Sequence, residues 1–238
     1  MLLSLFVAGV LVNLVAPWPV AAWLRRRWEL ESAFYGLIAM GAGAALVAYL
    51  AAMGLWVGYQ AVFPVPASVP RAELATRVDV LVFTTVALGV IMEGVKCYAT
   101  EMFRTQLVRG NLPLFGVGVG LGAGMLQALL VLGATVWAVV AGQATVGASE
   151  VALTFHHLGL LLLHCAVGAL VMYRTAEGFK VQGILAGGAL HGVTLLVTTL
   201  LTNQGGAMAF AGGPVLFVGA AVAAGIVGWR VRSKGWPM

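Results

Sequence analysis

Apolar runs of about twenty residues recur along almost the whole of this chain, and a soluble domain is not built that way. A helix needs roughly 20 consecutive apolar residues to cross the hydrocarbon core of a bilayer. The helix is also the open-chain form that satisfies its own backbone there. Of 238 residues, 61% are hydrophobic and 9% are charged, which excludes an ordinary soluble composition. The sequence therefore reads as an all-α, polytopic transmembrane helix bundle forming one integral membrane domain over residues 1–238. Seven spans are expected: Leu2 to Trp23, Phe34 to Tyr59, Val78 to Phe103, Leu112 to Val140, Val151 to Tyr173, Val181 to Leu201 and Pro214 to Trp229. The first is not a secretory signal by its flanks. No positive charge precedes it and Arg25, Arg26 and Arg27 follow it, which suits a retained anchor.

Basic residues predict the orientation. Arg25–Arg27 follow span one, Arg104 and Arg109 span three, and Arg174 and Lys180 span five, while Arg230, Arg232 and Lys234 close the chain. The opposite side holds Arg71 and Arg77. The excess of Lys and Arg on one side predicts an N-terminus outside and a C-terminus in the cytoplasm, in a multi-pass protein of the cell membrane. The net charge of +5 is thus topological, and the expected partner is the lipid bilayer rather than nucleic acid. The longest outer loop, Gln60 to Arg77, carries three prolines without apolar periodicity and reads as a cap or irregular link. Cys97 and Cys165 lie within spans and read as packing residues. No internal repeat of the transporter kind is visible.

Against this background the stretch "GVIMEGVKCYATEMF", Gly89 to Phe103, stands out for its charges. A charged side chain at bilayer depth costs at least ~2.5–3.5 kcal/mol on insertion scales, so it normally has a partner. Glu93 and Lys96 are three residues apart on one helical face and can pair, which would simply pin helix packing. Glu101 and Arg104, nearer the span end, can reach headgroups. Depth makes Glu93 more interesting. It is ten residues from Phe103, His164 is nine from Tyr173, and His191 is ten from Val181. At a rise of about 1.5 Å per residue all three lie roughly 15 Å deep. One carboxylate with two imidazoles is a zinc ligand set that leaves a position for water. Independent interhelical hydrogen bonds are the other reading of lone intramembrane histidines. His156 and His157, near the outer end of span five, are accounted for by headgroup contact.

In span four, "GVGVGLGAGMLQALL" sets Gly116, Gly120 and Gly124 at intervals of four, with Gly118 and Gly122 offset. Such spacing lets helix backbones approach closely. Gln127 follows as a polar residue that needs a partner.

The segment "LHCAVGALVMYRTAEGFKVQGILAGGALHGVTLL" resembles the last conserved part of the YhfC-type intramembrane metalloproteases, relatives of the PrsW proteases and of the CAAX-protease and bacteriocin-processing superfamily. "MEGVKCY" is similar to their "EEGARY" motif and "GLGAGMLQAL" to their "GLGHGGIEAI" motif. The resemblance covers Gly89 to Leu195, in the right order. It implies that Glu93 matches the second glutamate of the pair, that Lys96 stands for the arginine, and that His164 and His191 match the two late histidines. Departures are specific: Met92 replaces the first glutamate, Ala123 a histidine and Gln127 a glutamate. Leu195 falls near where many relatives carry an acidic or amide residue. Ala123, eleven residues from Leu112, lies at about the same depth as the other site positions.

Two readings follow. In one, the chain is a degenerate relative, a pseudoenzyme that binds a membrane protein or peptide segment without cutting it. In the other, it is an active metal-dependent intramembrane protease, with zinc held by Glu93, His164 and His191, Glu93 the candidate catalytic residue, and Lys96 and Gln127 in support. Lys96 is expected either beside Glu93 or reaching towards the cytoplasm, the latter being favoured by repulsion if a metal is bound. A transporter would need broken helices and ionisable groups along a path. A retinal protein is excluded because span seven holds no lysine. The topology is tested by a reporter fused after Met238, which should be active only on the cytoplasmic side; activity only outside would overturn the orientation.

Overall fold

The computed structural model describes residues 1–28, 30, 33–62, 78–102, 112–203 and 210–236. Phe103, the basic residues Arg71, Arg77, Arg104 and Arg109, and most of the expected outer loop lie outside the described residues. Among the described residues there is no strand, and seven helical segments are long and apolar enough to cross a membrane. The chain is an all-α bundle.

The first span is two helices, α1 (Leu2–Leu14) and α2 (Pro17–Arg27), where one was expected. Pro17 and Pro19 have no N–H to donate, so the helical hydrogen-bond ladder is interrupted here although Ala16 keeps right-handed helical backbone angles. The chain therefore restarts with Pro17 in the first turn of α2, a position that needs no donor. Next comes α3 (Ala33–Val62). The third span opens with the short α4 (Val78–Val82), widens into one π-type turn at Phe83–Ala87, and continues as α5 (Leu88–Met102). Within the wide turn the Thr85 hydroxyl donates to the Leu81 carbonyl at 2.5 Å, a local bond that competes with regular helix pairing. Four more helices complete the chain: α6 (Leu112–Val140), α7 (Ala148–Ala176), α8 (Lys180–Thr202) and α9 (Gly212–Lys234).

Helix α7 is central and touches α1, α5, α6, α8 and α9. Its neighbours come close because glycine removes the side chain at each crossing. The two glycine sets of α6 face different partners. Gly116, Gly120 and Gly124 lie against Gly168, His164 and Leu161 of α7, while Gly118 and Gly122 lie against Phe34 and Ile38 of α3. A third crossing joins the wide turn to α8, where a Cβ on Gly192 would fall 2.6 Å from the Cα of Val86. These three crossings hold α3, α5, α6, α7 and α8 around one level of the bundle.

The basic ends gather at one end of the molecule. Glu177, just after α7, pairs with Arg174 at 2.5 Å, Arg230 at 3.2 Å and Lys234 at 3.8 Å. Trp28, after Arg25–Arg27, stacks on Trp236 with ring centroids 5.6 Å apart. Glu101 pairs with Lys180, which also lies 3.8 Å from the centre of the Tyr98 ring. Glu101 thus has a protein partner where headgroup contact was expected.

The crossing of α6 and α7 gives a paired test. A Cβ on Gly120 would lie 2.6 Å from the Cα of Cys165, whereas one on Gly133 meets nothing within 4 Å. Gly120→Ala should destabilise the folded bundle by about 1–3 kcal/mol through overpacking against backbone. Gly133→Ala should be neutral or slightly stabilising, since alanine is the better helix former by about 0.5–1 kcal/mol. Thermal unfolding of the two variants in detergent separates them.

A buried carboxylate, lysine and histidine cluster

Helix α5 carries Glu93 and Lys96 three residues apart, so both point to the same side. That side faces inward: Glu93 is fully buried and Lys96 is 2% exposed. The Lys96 Nζ lies 2.6 Å from Glu93 Oε1. His191, brought in by the glycine crossing of α8, places Nδ1 2.8 Å from the same oxygen. His164, from α7, closes the other side. Lys96 Nζ is 3.4 Å from its Nδ1 and 3.4 Å from its carbonyl oxygen. The two imidazole rings meet edge to face, with centroids 4.6 Å apart. The structure therefore brings Glu93, His164 and His191 together from three helices.

One set of protons accounts for these contacts. The Nδ1–H of His191 donates to the Glu93 carboxylate, leaving the lone pair of that imidazole on Nε2. Lys96 donates to the carboxylate and to Nδ1 of His164. The Nε2–H of His164 then donates to Gln127 Oε1 at 3.0 Å. The Gln127 amide donates in turn to the Tyr49 hydroxyl on α3. Gln127 is thus the link between the cluster and α3. The remaining oxygen of the carboxylate, Glu93 Oε2, is buried and has no hydrogen-bond partner among the described residues.

Tyr49 was not singled out from the sequence, although a signal existed. Tyrosines of membrane helices belong mainly to the interfacial belts, and a buried phenol normally finds a partner for its hydroxyl. Tyr49 sits mid-helix in α3, among alanines and leucines. His157 also differs from expectation. It is 5% exposed, and its Nδ1 has no partner among the described residues. Instead of reaching headgroups it lines a cavity of about 280 Å³ with Tyr49 and Gln127. Cys97 and Cys165 are both free thiols.

The positions where the resemblance would place further polar groups are apolar here. Met92 and Ala123 are 1% and 0% exposed and belong to one small core cluster with Ala45 and Ala48. A thioether and a methyl group stand where the resemblance would place a carboxylate and an imidazole.

Ligand atoms of Glu93, His164 and His191 all lie within 4.8 Å of one another, close enough to hold one metal ion. The chemistry of the set suits zinc, which accepts carboxylate and imidazole at about 2.0–2.2 Å. The unpartnered Glu93 Oε2 would also welcome a cation. Lys96, however, stands within the same group of donors. With an effective dielectric constant near 20, a doubly charged ion about 4 Å from an ammonium is opposed by about 8 kcal/mol. The ion fits only when Lys96 has swung away.

Comparison with protein-family models, curated proteins and solved structures finds no match to this chain.

The Gln127 link is open to direct measurement. Gln127→Leu removes the acceptor of His164 Nε2–H and the donor to Tyr49, and should cost about 0.5–2 kcal/mol of stability. Tyr49→Phe alone should cost less. The double variant should lose less than the sum of the two, because both act on one hydrogen-bond chain. Strict additivity in thermal unfolding would show that the chain does not couple the helices.

Proposed function

We propose that the chain is a multi-pass protein of the cell membrane, resembling the YhfC-type intramembrane metalloproteases in layout, that binds a membrane protein or peptide segment and does not cleave it. The observation that carries this reading is that Met92 and Ala123, at the positions where the resemblance would place a carboxylate and an imidazole, are buried in one apolar cluster. Peptide hydrolysis needs a water activated by a metal or by a base of suitable pKa, and a group to stabilise the oxyanion. Methionine and alanine supply neither. Gln127 is neutral and its carbonyl oxygen is already used by His164. Glu93 Oε1 is held from two sides, by Lys96 and His191.

Within this reading, residues 1–238 act as one membrane domain with the C-terminus in the cytoplasm. The polar cluster keeps α5, α7 and α8 in fixed register. The basic ends of the spans anchor the bundle at one headgroup level.

A second reading, an active metal-dependent protease using Glu93, His164 and His191, is favoured by the unpartnered Glu93 Oε2 and by the spacing of the ligand atoms. A bound zinc would supply Lewis-acid activation of water. Here Lys96 would have to leave the carboxylate, and Glu93 would be asked to serve as both ligand and base.

The two readings part in a cleavage assay. Wild-type protein in liposomes is expected to leave a membrane peptide intact. Cleavage should appear only after Ala123→His and Gln127→Glu are introduced together. His164→Ala should lower stability or partner binding, with no proteolysis to lose. Cleavage by the wild type that a chelator stops would establish the second reading.

A further inference from the structure

Lys96 sits in the cluster in a way that bears on its metal content. It is 2% exposed, although a lysine near a helix end can usually carry its ammonium out to the interface along its own methylenes. Here the side chain turns inward. Its Nζ lies 2.6 Å from Glu93 Oε1, 3.4 Å from His164 Nδ1 and 3.4 Å from the His164 carbonyl oxygen. All three atoms belong to Glu93 and His164, and the first two are side-chain atoms of the donor types that fall within 4.8 Å of one another. The third is a backbone carbonyl, which also favours positive charge. A single cation thus already sits among the donors that a metal would need.

We infer that Lys96 is the resident cation of this site: its ammonium takes the place of a metal ion, and the wild-type chain holds no zinc. The inference rests on Glu93, His164 and His191 forming a metal-type donor set, and it deepens the non-cleaving reading by saying why that set stays metal-free. Charge balance argues for it. The carboxylate and the ammonium sum to zero in a buried site, with both imidazoles neutral. Adding a doubly charged ion beside the ammonium would leave two positive charges uncompensated there. A lysine also supplies N–H donors in several directions, which matches a carboxylate oxygen, an imidazole nitrogen and a carbonyl oxygen arranged around it. Methionine has nearly the same length without the charge. At position 96 it would free the donors while filling the space of the side chain.

The experiment reads metal content rather than activity. Wild type, Lys96→Met and Lys96→Arg are purified in detergent, loaded with zinc salt, freed of excess by gel filtration and assayed by elemental analysis. Wild type and Lys96→Arg should carry only background zinc. Lys96→Met should retain stoichiometric zinc and lose it when His191→Ala is added. Since removing one partner of a buried ion pair is destabilising, Lys96→Met should also give more monodisperse protein when expressed with zinc than without it. Stoichiometric zinc in the wild type, abolished by His191→Ala, would overturn the inference. So would a folded Lys96→Met that takes up no zinc. Should Lys96→Met fail to fold even with zinc, the wild-type content alone decides. Cleavage is scored separately on the same wild-type preparation. A zinc-bearing wild type that cuts nothing refutes the role of Lys96 and leaves the non-cleaving reading standing. Cleavage by a zinc-free wild type does the reverse.

Discussion

The carboxylate of Glu93 is fully buried among apolar helices, and the arrangement of the neighbouring spans answers to that charge. An ionised group at this depth is costly on any scale. It is met by an ammonium at 2.6 Å and an imidazole N–H at 2.8 Å. Removing either partner would strand a buried charge, which typically costs about 3–5 kcal/mol in a protein interior. Lys96 comes from the same helix, but His191 comes from α8, and Lys96 reaches on to His164 of α7. The ion pair therefore fixes three helices in rotation and register, which apolar packing in lipid does weakly. The glycine crossings are the complement of this device. Without the bare backbones of Gly120 and Gly192, α6 and α8 would stand off by the thickness of a side chain, and Gln127 and His191 would fall short of their partners.

Much of the fold was legible in the sequence because bilayer thickness sets the length of each apolar run, and charge marks where each run ends. Depth was legible for the same reason. Counting from span ends put Glu93, His164 and His191 on one level, and the structure brings them into contact. Depth is one coordinate, however, and the azimuth of each helix was not available. The direction of Lys96 stayed open between pairing and reaching outward, because only the position of His164 across the interface decides it. The four-residue glycine spacing announced a close approach but not its partners, and the offset set turned out to face α3. No motif in the sequence marks Tyr49, and the place of His157 near the outer end of span five suggests headgroup contact. Their burial depends on which side of the helix faces α6. The break before Pro17 was missed through hydropathy, which counts proline as a neutral residue and ignores its missing N–H.

The state of the cluster bears on what it can do. A hydrolytic centre needs an open position for water and a base free to take its proton. A structural polar network needs closure, since any group left unpaired at this depth is a loss. Here His164 is engaged at both nitrogens, Gln127 at both ends of its amide, and Glu93 twice at Oε1. Met92 and Ala123, where the resemblance would place polar groups, are buried in a small apolar cluster. Glu93 Oε2 is the exception to closure. It is a single acceptor next to the His191 imidazole, whose lone pair lies on Nε2, while Lys96 and His191 Nδ1–H hold the other carboxylate oxygen. Such an oxygen can take a hydrogen bond from an incoming donor. In the proposed non-cleaving reading the site serves recognition, and hydrolysis would require both the exit of Lys96 and polar groups at the positions that Met92 and Ala123 hold.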